Sequence, residues 1–243
     1  KGGVGKTTTA VNLATAIAAS GKKCLLIDLD SQGNASTALG IPPQEREANS
    51  YDLITEDKTI DQCRYKTDVK NLDLCAGSID LSGADIQLAN KIGREFVIKK
   101  ALEKVTDEYD YVFIDCPPSL GLLTVNALTA SNYALIPLQC EFYSMEGLSY
   151  LLNTIELVQQ NLNDKLKIGG LLLTMYDKRN KVTTEVEEEV RKHFEGKVFK
   201  NVIPRNVKLS EAPSHGKPGI IYDHRATGAI AYMLLAREVL NNF

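Results

Sequence analysis

Eight residues at the head of the sequence carry its densest chemistry: Lys1-Gly2-Gly3-Val4-Gly5-Lys6-Thr7-Thr8. Glycines permit backbone conformations with φ > 0, so successive N–H groups can turn toward one anion. The segment that follows reads as a helix, whose first N–H groups and dipole add positive potential at the same spot. This is the core of the Walker A phosphate loop. Lys6 is expected to neutralise the β- and γ-phosphates of a nucleoside triphosphate, and the Thr7 hydroxyl to ligate Mg²⁺. A glycine-rich turn with a chance lysine would have the same letters. Here the loop opens a helix-period segment and acidic strand ends follow, which favours phosphate binding.

Those carboxylates sit where such a loop needs them. Tyr111–Asp115 (YVFID) is an apolar run ending in Asp115, the position that holds the hydration shell of a bound metal ion. Lys23–Asp28 ends in Asp28, with Asp30 two residues on. An aspartate beside a γ-phosphate can orient the attacking water, and Asp30, beyond the strand end, has the greater reach. Asp28 is expected to hydrogen-bond Lys6 or Thr7 from behind. The plain alternative is that strand-end aspartates merely cap turns.

The elements that must position these groups alternate along the whole chain. Near-continuous apolar runs at Lys23–Asp28, Leu72–Ala76, Tyr111–Asp115, Ala134–Leu138, Lys167–Thr174 and Val198–Ile203 read as strands covered on both faces. Helical periodicity fills Thr7–Ser20, Ile79–Asn90, Glu95–Thr106, Leu120–Ser131, Met145–Asn161, Thr183–His193 and Gly228–Asn241. The order predicts an α/β fold, a doubly wound, mostly parallel sheet flanked by helices, in one domain over residues 1–243. Ile41–Thr59, polar and proline-containing, reads as a surface excursion. A phosphate loop ordinarily follows a buried strand and no residue precedes Lys1, so the first strand is expected to be missing from this sequence.

Composition is that of an ordinary packed protein, with 44% hydrophobic and 24% charged residues and a formal net charge of −3. The overall charge argues against a dedicated nucleic-acid binder, but it is uneven. Residues 196–225 hold Lys197, Lys200, Arg205, Lys208, Lys217 and Arg225 against Glu211 and Asp223, and Lys178, Arg179 and Lys181 form a second basic cluster. A locally basic face suits sequence-independent phosphate contact; the bland reading is a solvated charged surface. Five scattered cysteines without C-x-x-C spacing fit reduced thiols. No apolar run approaches a membrane span and no leader pattern opens the chain, so a cytoplasmic protein is expected.

With Lys1 five residues before Lys6, the loop KGGVGKT is the deviant Walker A motif, and the sequence resembles the ParA/MinD class of ATPases. Asp28-Leu-Asp-Ser-Gln-Gly-Asn34, Asp115-Cys-Pro-Pro-Ser-Leu120 and Val202-Ile-Pro-Arg-Asn-Val-Lys-Leu-Ser-Glu-Ala-Pro-Ser214 narrow this to chromosome-partitioning ParA proteins of the Soj type. Ser31 departs from the family's more usual proline. The resemblance implies ATP and Mg²⁺ as ligands, held by Lys1, Gly2, Gly3, Val4, Gly5, Lys6, Thr7 and Thr8. The adenine would rest against Pro204, Arg205, Asn206 and the strand end at Met175, although a packing role serves Met175 equally well. Lys1 would reach the ATP of a second subunit in an ATP-dependent homodimer. Ser31–Leu39 and Pro117–Leu122 would be the switch segments, and Arg179 and Lys208 would contact DNA nonspecifically, on the nucleoid. A ParB-like protein would stimulate an otherwise weak ATPase, with Lys1, Lys6 and Asp30 as its catalytic residues.

Two rivals share the loop. A MinD-like membrane-associated ATPase needs a basic amphipathic C-terminal helix, yet Gly228–Phe243 contains Arg237 as its one cation. An electron-transfer ATPase would need an iron–sulfur cluster, for which Cys116 and Cys140 lack the motif context.

Overall fold

The computed structural model describes residues 2–141 and 144–243. The strands are β1 (Cys24–Asp28), β2 (Arg64–Lys66), β3 (Leu72–Cys75), β4 (Tyr111–Asp115), β5 (Tyr133–Gln139) and β6 (Lys167–Thr174). Between them lie α1 (Lys6–Ala19), α2 (Asn34–Ala38), α3 (Ser50–Thr55), α4 (Ile60–Cys63), α5 (Ala84–Leu88), α6 (Val97–Leu102), α7 (Leu122–Ala130) and α8 (Ser144–Asn161). After β6 come α9 (Lys181–His193), α10 (Val207–Glu211), α11 (Gly219–Tyr222) and α12 (Thr227–Asn242).

β1 pairs in parallel with β3 on one side and β4 on the other, while the short β2 runs antiparallel at the edge. β5 and β6 form a separate parallel pair. The described strands thus form two sheets, in the orders β2-β3-β1-β4 and β5-β6, and α1 packs against both β4 and β5.

β1 explains why its sequence is continuously apolar. Cys24 and Leu26 face a core shared with α1 and α12, whereas Leu25 and Ile27 face a second core with α3, α5 and α6. Alternate side chains point to opposite faces, and both faces are covered, so no position can be polar until the strand ends. Each fully buried Leu or Ile contributes about 1.5–3 kcal/mol relative to exposure. α1 is enclosed as well: Val11, Leu13, Ala14, Ile17 and Ala18 are all buried. Its alanines admit the close approach of α12, where the Tyr232 hydroxyl bonds that of Thr9 at 3.0 Å.

The structure corrects four expectations. Val198–Ile203 is not a continuous strand: Val198 bridges to β6 and Phe199 and Ile203 donate to its carbonyls, but between them the N–H groups of Lys200 and Asn201 donate to the Glu238 carboxylate on α12 instead. Ile79–Asn90 breaks at Gly83 into a 3₁₀ turn and α5. The helix expected over Glu95–Thr106 shortens to α6 with a 3₁₀ turn on each side. Ile41–Thr59 is no surface excursion, because it contains α3, started by a capping box between Asn49 and Asp52, with Leu53 and Ile54 fully in the core.

Candidate functional site

The phosphate-loop residues Gly2–Gly5 lead directly into α1. Gly3 and Gly5 take φ of 80° and 86°, conformations that a side chain would strain, and Gly5 is the residue on which the helix starts. A Cβ at Gly2 or Gly3 would meet nothing within 4 Å, so this part of the loop is exposed and faces open space. Val4 turns its carbonyl to the Thr174 hydroxyl at 2.9 Å, which ties the loop to the end of β6. Lys6, Thr7 and Thr8 form the first turn of α1, half-buried. Lys1 lies outside the described residues.

Parallel register sets the acids in place. Asp28 and Asp115 are direct partners at the carboxyl ends of β1 and β4, on the edge that ends beside the loop. Burial pushes the Asp115 carboxyl up to about 7, and the neighbouring Asp28 charge adds to this; the Thr7 hydroxyl and the Lys6 ammonium pull the other way. Asp115 is 2% exposed, and its Oδ2 is buried without a hydrogen-bond partner. An orphaned carboxylate oxygen is costly unless something completes it, and here it sits beside a threonine hydroxyl and a lysine. That environment fits a hydrated divalent cation, with Thr7 and Asp115 as the residues to hold it.

Asp28 also does more than back the loop. It accepts from the backbone N–H and hydroxyl of Ser36, at 3.0 and 2.7 Å, and from the Asp30 N–H at 3.2 Å. Burial raises its pKa while these donors lower it. Its role is to fix α2 and the backbone of Asp30. Asp30 itself is half-buried; its Oδ1 accepts from the Gln32 N–H at 3.0 Å, which turns the chain toward α2.

Residues missed by sequence reasoning complete this corner. Gly77 donates its N–H to the Ser36 hydroxyl, and a Cβ there would lie 2.8 Å from the Asp30 carbonyl oxygen. Arg46, inside the supposed excursion, donates to the carbonyls of Gly33, Ile41 and Gly77 and to the Thr37 hydroxyl. Only a glycine after an apolar strand hinted at the first; nothing local signalled the second.

The expected base-binding segments come together. Tyr176 donates its N–H to the Ile203 carbonyl at 3.0 Å and accepts from the Arg205 N–H at 3.2 Å, so Met175 and Pro204–Asn206 sit side by side just past Thr174. Met175 adopts φ of 50°, unusual for a residue with a side chain. Asn206 spends its side chain on capping α10 through the Leu209 N–H and on the Thr227 hydroxyl. Arg179 and Arg205 border the same open groove of about 690 Å³, and Lys208 follows Val207 at its edge. Arg179 is gripped by the Asp177 carboxylate at 2.8 and 2.9 Å, and Lys208 pairs with Glu211 at 2.9 Å. Lys197, Lys200, Lys217 and Arg225 are exposed.

The cysteines are poor ligands as they stand: burial pushes the Cys116 thiol up to about 12 and that of Cys140 to about 11. α12 buries Tyr232, Leu235, Ala236 and Val239 rather than presenting a basic face. Among the described residues no helix is long and apolar enough to cross a membrane.

A glycine loop opening a helix at the carboxyl edge of parallel strands, opposite paired strand-end acids, defines a P-loop nucleotide-binding protein. Comparison with known proteins gives the family. The AAA domain family matches residues 1–168. The chain is 55% identical to the sporulation initiation inhibitor protein Soj of Bacillus subtilis, covering 100% of this chain and 96% of that one. It is 51% identical to the chromosome-partitioning ATPase Soj of Treponema pallidum, covering 99% and 94%. Among solved structures, a Mycobacterium smegmatis protein described as cobyrinic acid a,c-diamide synthase, with bound ADP and magnesium, superposes with a TM-score of 0.87 at 36% identity, covering 99% and 91%. The chain belongs to this AAA-domain family, in the ParA/MinD class of ATPases close to the chromosome-partitioning ParA and Soj proteins.

Proposed function

We propose that residues 1–243 form one ATPase domain that binds ATP with Mg²⁺, closes into a homodimer around it, binds DNA nonspecifically in that state and drives chromosome or plasmid partitioning on the nucleoid. The observation that carries the reading is the orphaned Asp115 Oδ2 beside Thr7, next to a loop whose glycines face open space. Family membership and the naming of the Treponema pallidum relative as a chromosome-partitioning ATPase support the cellular role.

In this mechanism the loop N–H groups and Lys6 bind the phosphates, and Thr7 and Asp115 hold Mg²⁺. The cation supplies neutralisation of the charge that develops between the β- and γ-phosphates. Asp30, its backbone fixed by Asp28, accepts a hydrogen bond from the attacking water and aims it in line with the γ-phosphate. Met175, Pro204, Arg205 and Asn206 bound the base. Lys1 supplies a second cation to the partner's nucleotide, where two triphosphates in one interface require compensation. Arg179 and Lys208 contact DNA phosphates. Turnover stays slow until a ParB-like activator completes the site.

Lys6→Ala tests the foundation. It should lower ATP affinity below detection in calorimetry, while a circular dichroism spectrum matches that of the parent. Unaltered affinity would refute the assigned site. The buried, weakly basic face of α12 favours this reading over the membrane-associated alternative, and ATP-dependent flotation with liposomes would reverse that preference.

A further inference from the structure

Thr174 ends β6 and is 2% exposed. Its hydroxyl donates to the Val4 carbonyl at 2.9 Å, and its Cβ lies 3.8 Å from the position a Cβ on Gly5 would occupy. The acids that face the loop from the other side, Asp28 and Asp115, belong to the other sheet. The bond from Thr174 therefore connects the loop to the end of β6. Immediately beyond it, Met175 takes its left-handed conformation, and Tyr176 exchanges backbone bonds with the Ile203–Arg205 segment.

We propose that Thr174 is a positioning residue for nucleotide binding, one that aims the phosphate loop and sets its distance from the base pocket. The inference rests on the nucleotide site proposed above. A peptide group is planar and trans, so the Val4 carbonyl and the Gly5 N–H point in opposite directions. Holding the carbonyl against β6 turns the Gly5 N–H away from β6, toward the phosphates. The left-handed φ of Gly5 completes that turn and leads the chain into α1. Because the same strand end carries Met175 and Tyr176, one hydroxyl fixes the spacing between the two ends of a bound nucleotide. Without that hydroxyl the Val4 peptide loses its only side-chain anchor among the described bonds, and the loop must be ordered anew each time a ligand enters.

The test compares four proteins by calorimetry with ADP and with a non-hydrolysable ATP analogue: the parent, Thr174→Ser, Thr174→Val and Thr174→Ala. Valine preserves shape but removes the donor; serine preserves the donor. Thr174→Ser should bind both nucleotides within about twofold of the parent, whereas Thr174→Val should bind both about tenfold more weakly, the equivalent of about 1.4 kcal/mol. Measurement is made well below each protein's unfolding midpoint, where a purely structural defect leaves affinity intact. If valine prevents folding, the alanine–serine pair reads the same difference. Parental affinity in Thr174→Val, or equal weakness in Thr174→Ser, overturns the proposal. A parent that binds neither nucleotide, or a Lys6→Ala variant that binds both normally, would instead overturn the nucleotide-site reading beneath it.

Discussion

Asp115 illustrates how one atom sets a measurable property. Its carboxyl titrates at about 7 in the fold, against about 3.9 in an unfolded chain. Between those values the native state holds a proton that the unfolded state has released, so this group makes stability fall as pH rises. The slope approaches about 1.4 kcal/mol per pH unit in that window and vanishes above it. Urea unfolding of the ligand-free protein from pH 4.5 to 8 should follow this trend, and Asp115→Asn should flatten it. A bound cation competes with the same proton, so Mg²⁺ affinity in the presence of ATP should rise as pH approaches 7. The two cations assigned to DNA yield a second prediction. Asp177 and Glu211 occupy Arg179 and Lys208 much as a phosphate would. Exposed pairs of this kind are worth at most about 1 kcal/mol, so the double variant Asp177→Asn, Glu211→Gln should bind DNA a few-fold more tightly at fixed salt. Reversal of Arg179 and Lys208 should weaken it. A gel-shift titration with ATP reads both.

At the scale of elements, α2 and its clamp matter most. The five-residue α2 is too short to hold itself together, and it starts on Gly33 without a side-chain cap. Asp28 secures it from the strand side through Ser36, and Arg46 secures it from the loop side through Gly33, Thr37 and Ile41. α2 lies within the proposed Ser31–Leu39 switch, so a nucleotide-driven change there would act on these bonds. Arg46→Lys keeps the charge but loses the planar fork, leaving buried carbonyls short of donors. It should cost about 2 kcal/mol in urea unfolding and should impair ATP hydrolysis more than ATP binding. Equal stability would show that the clamp is dispensable.

For the whole molecule, the loop lies between two groups of strands, β1 with β4 and β5 with β6. One supplies Asp28 and Asp115, the other supplies Thr174 and the base-binding strand end. In the proposed cycle the nucleotide bound there drives association of two subunits. Size-exclusion chromatography should give a dimer with ATP and a monomer with ADP, and Asp30→Ala should remain dimeric with ATP while releasing no phosphate. Persistence of a monomer in every condition would exclude the ATP-enclosed pair.

Residue types alone determined the phosphate loop, the strands β1, β4 and β6 and the acids that end β1 and β4. Glycine, lysine and a polar residue terminating an apolar run are legible because each answers a local requirement of backbone or burial. The Arg46 clamp, the loss of a strand at Val198–Ile203 to Glu238, the turn of Asp28 toward Ser36 and the grip of Thr174 on Val4 were decided only in three dimensions. Each is a hydrogen bond between groups 5 to 170 residues apart or a choice between competing acceptors, and no local preference of the chain encodes which partner is nearest once the core has closed.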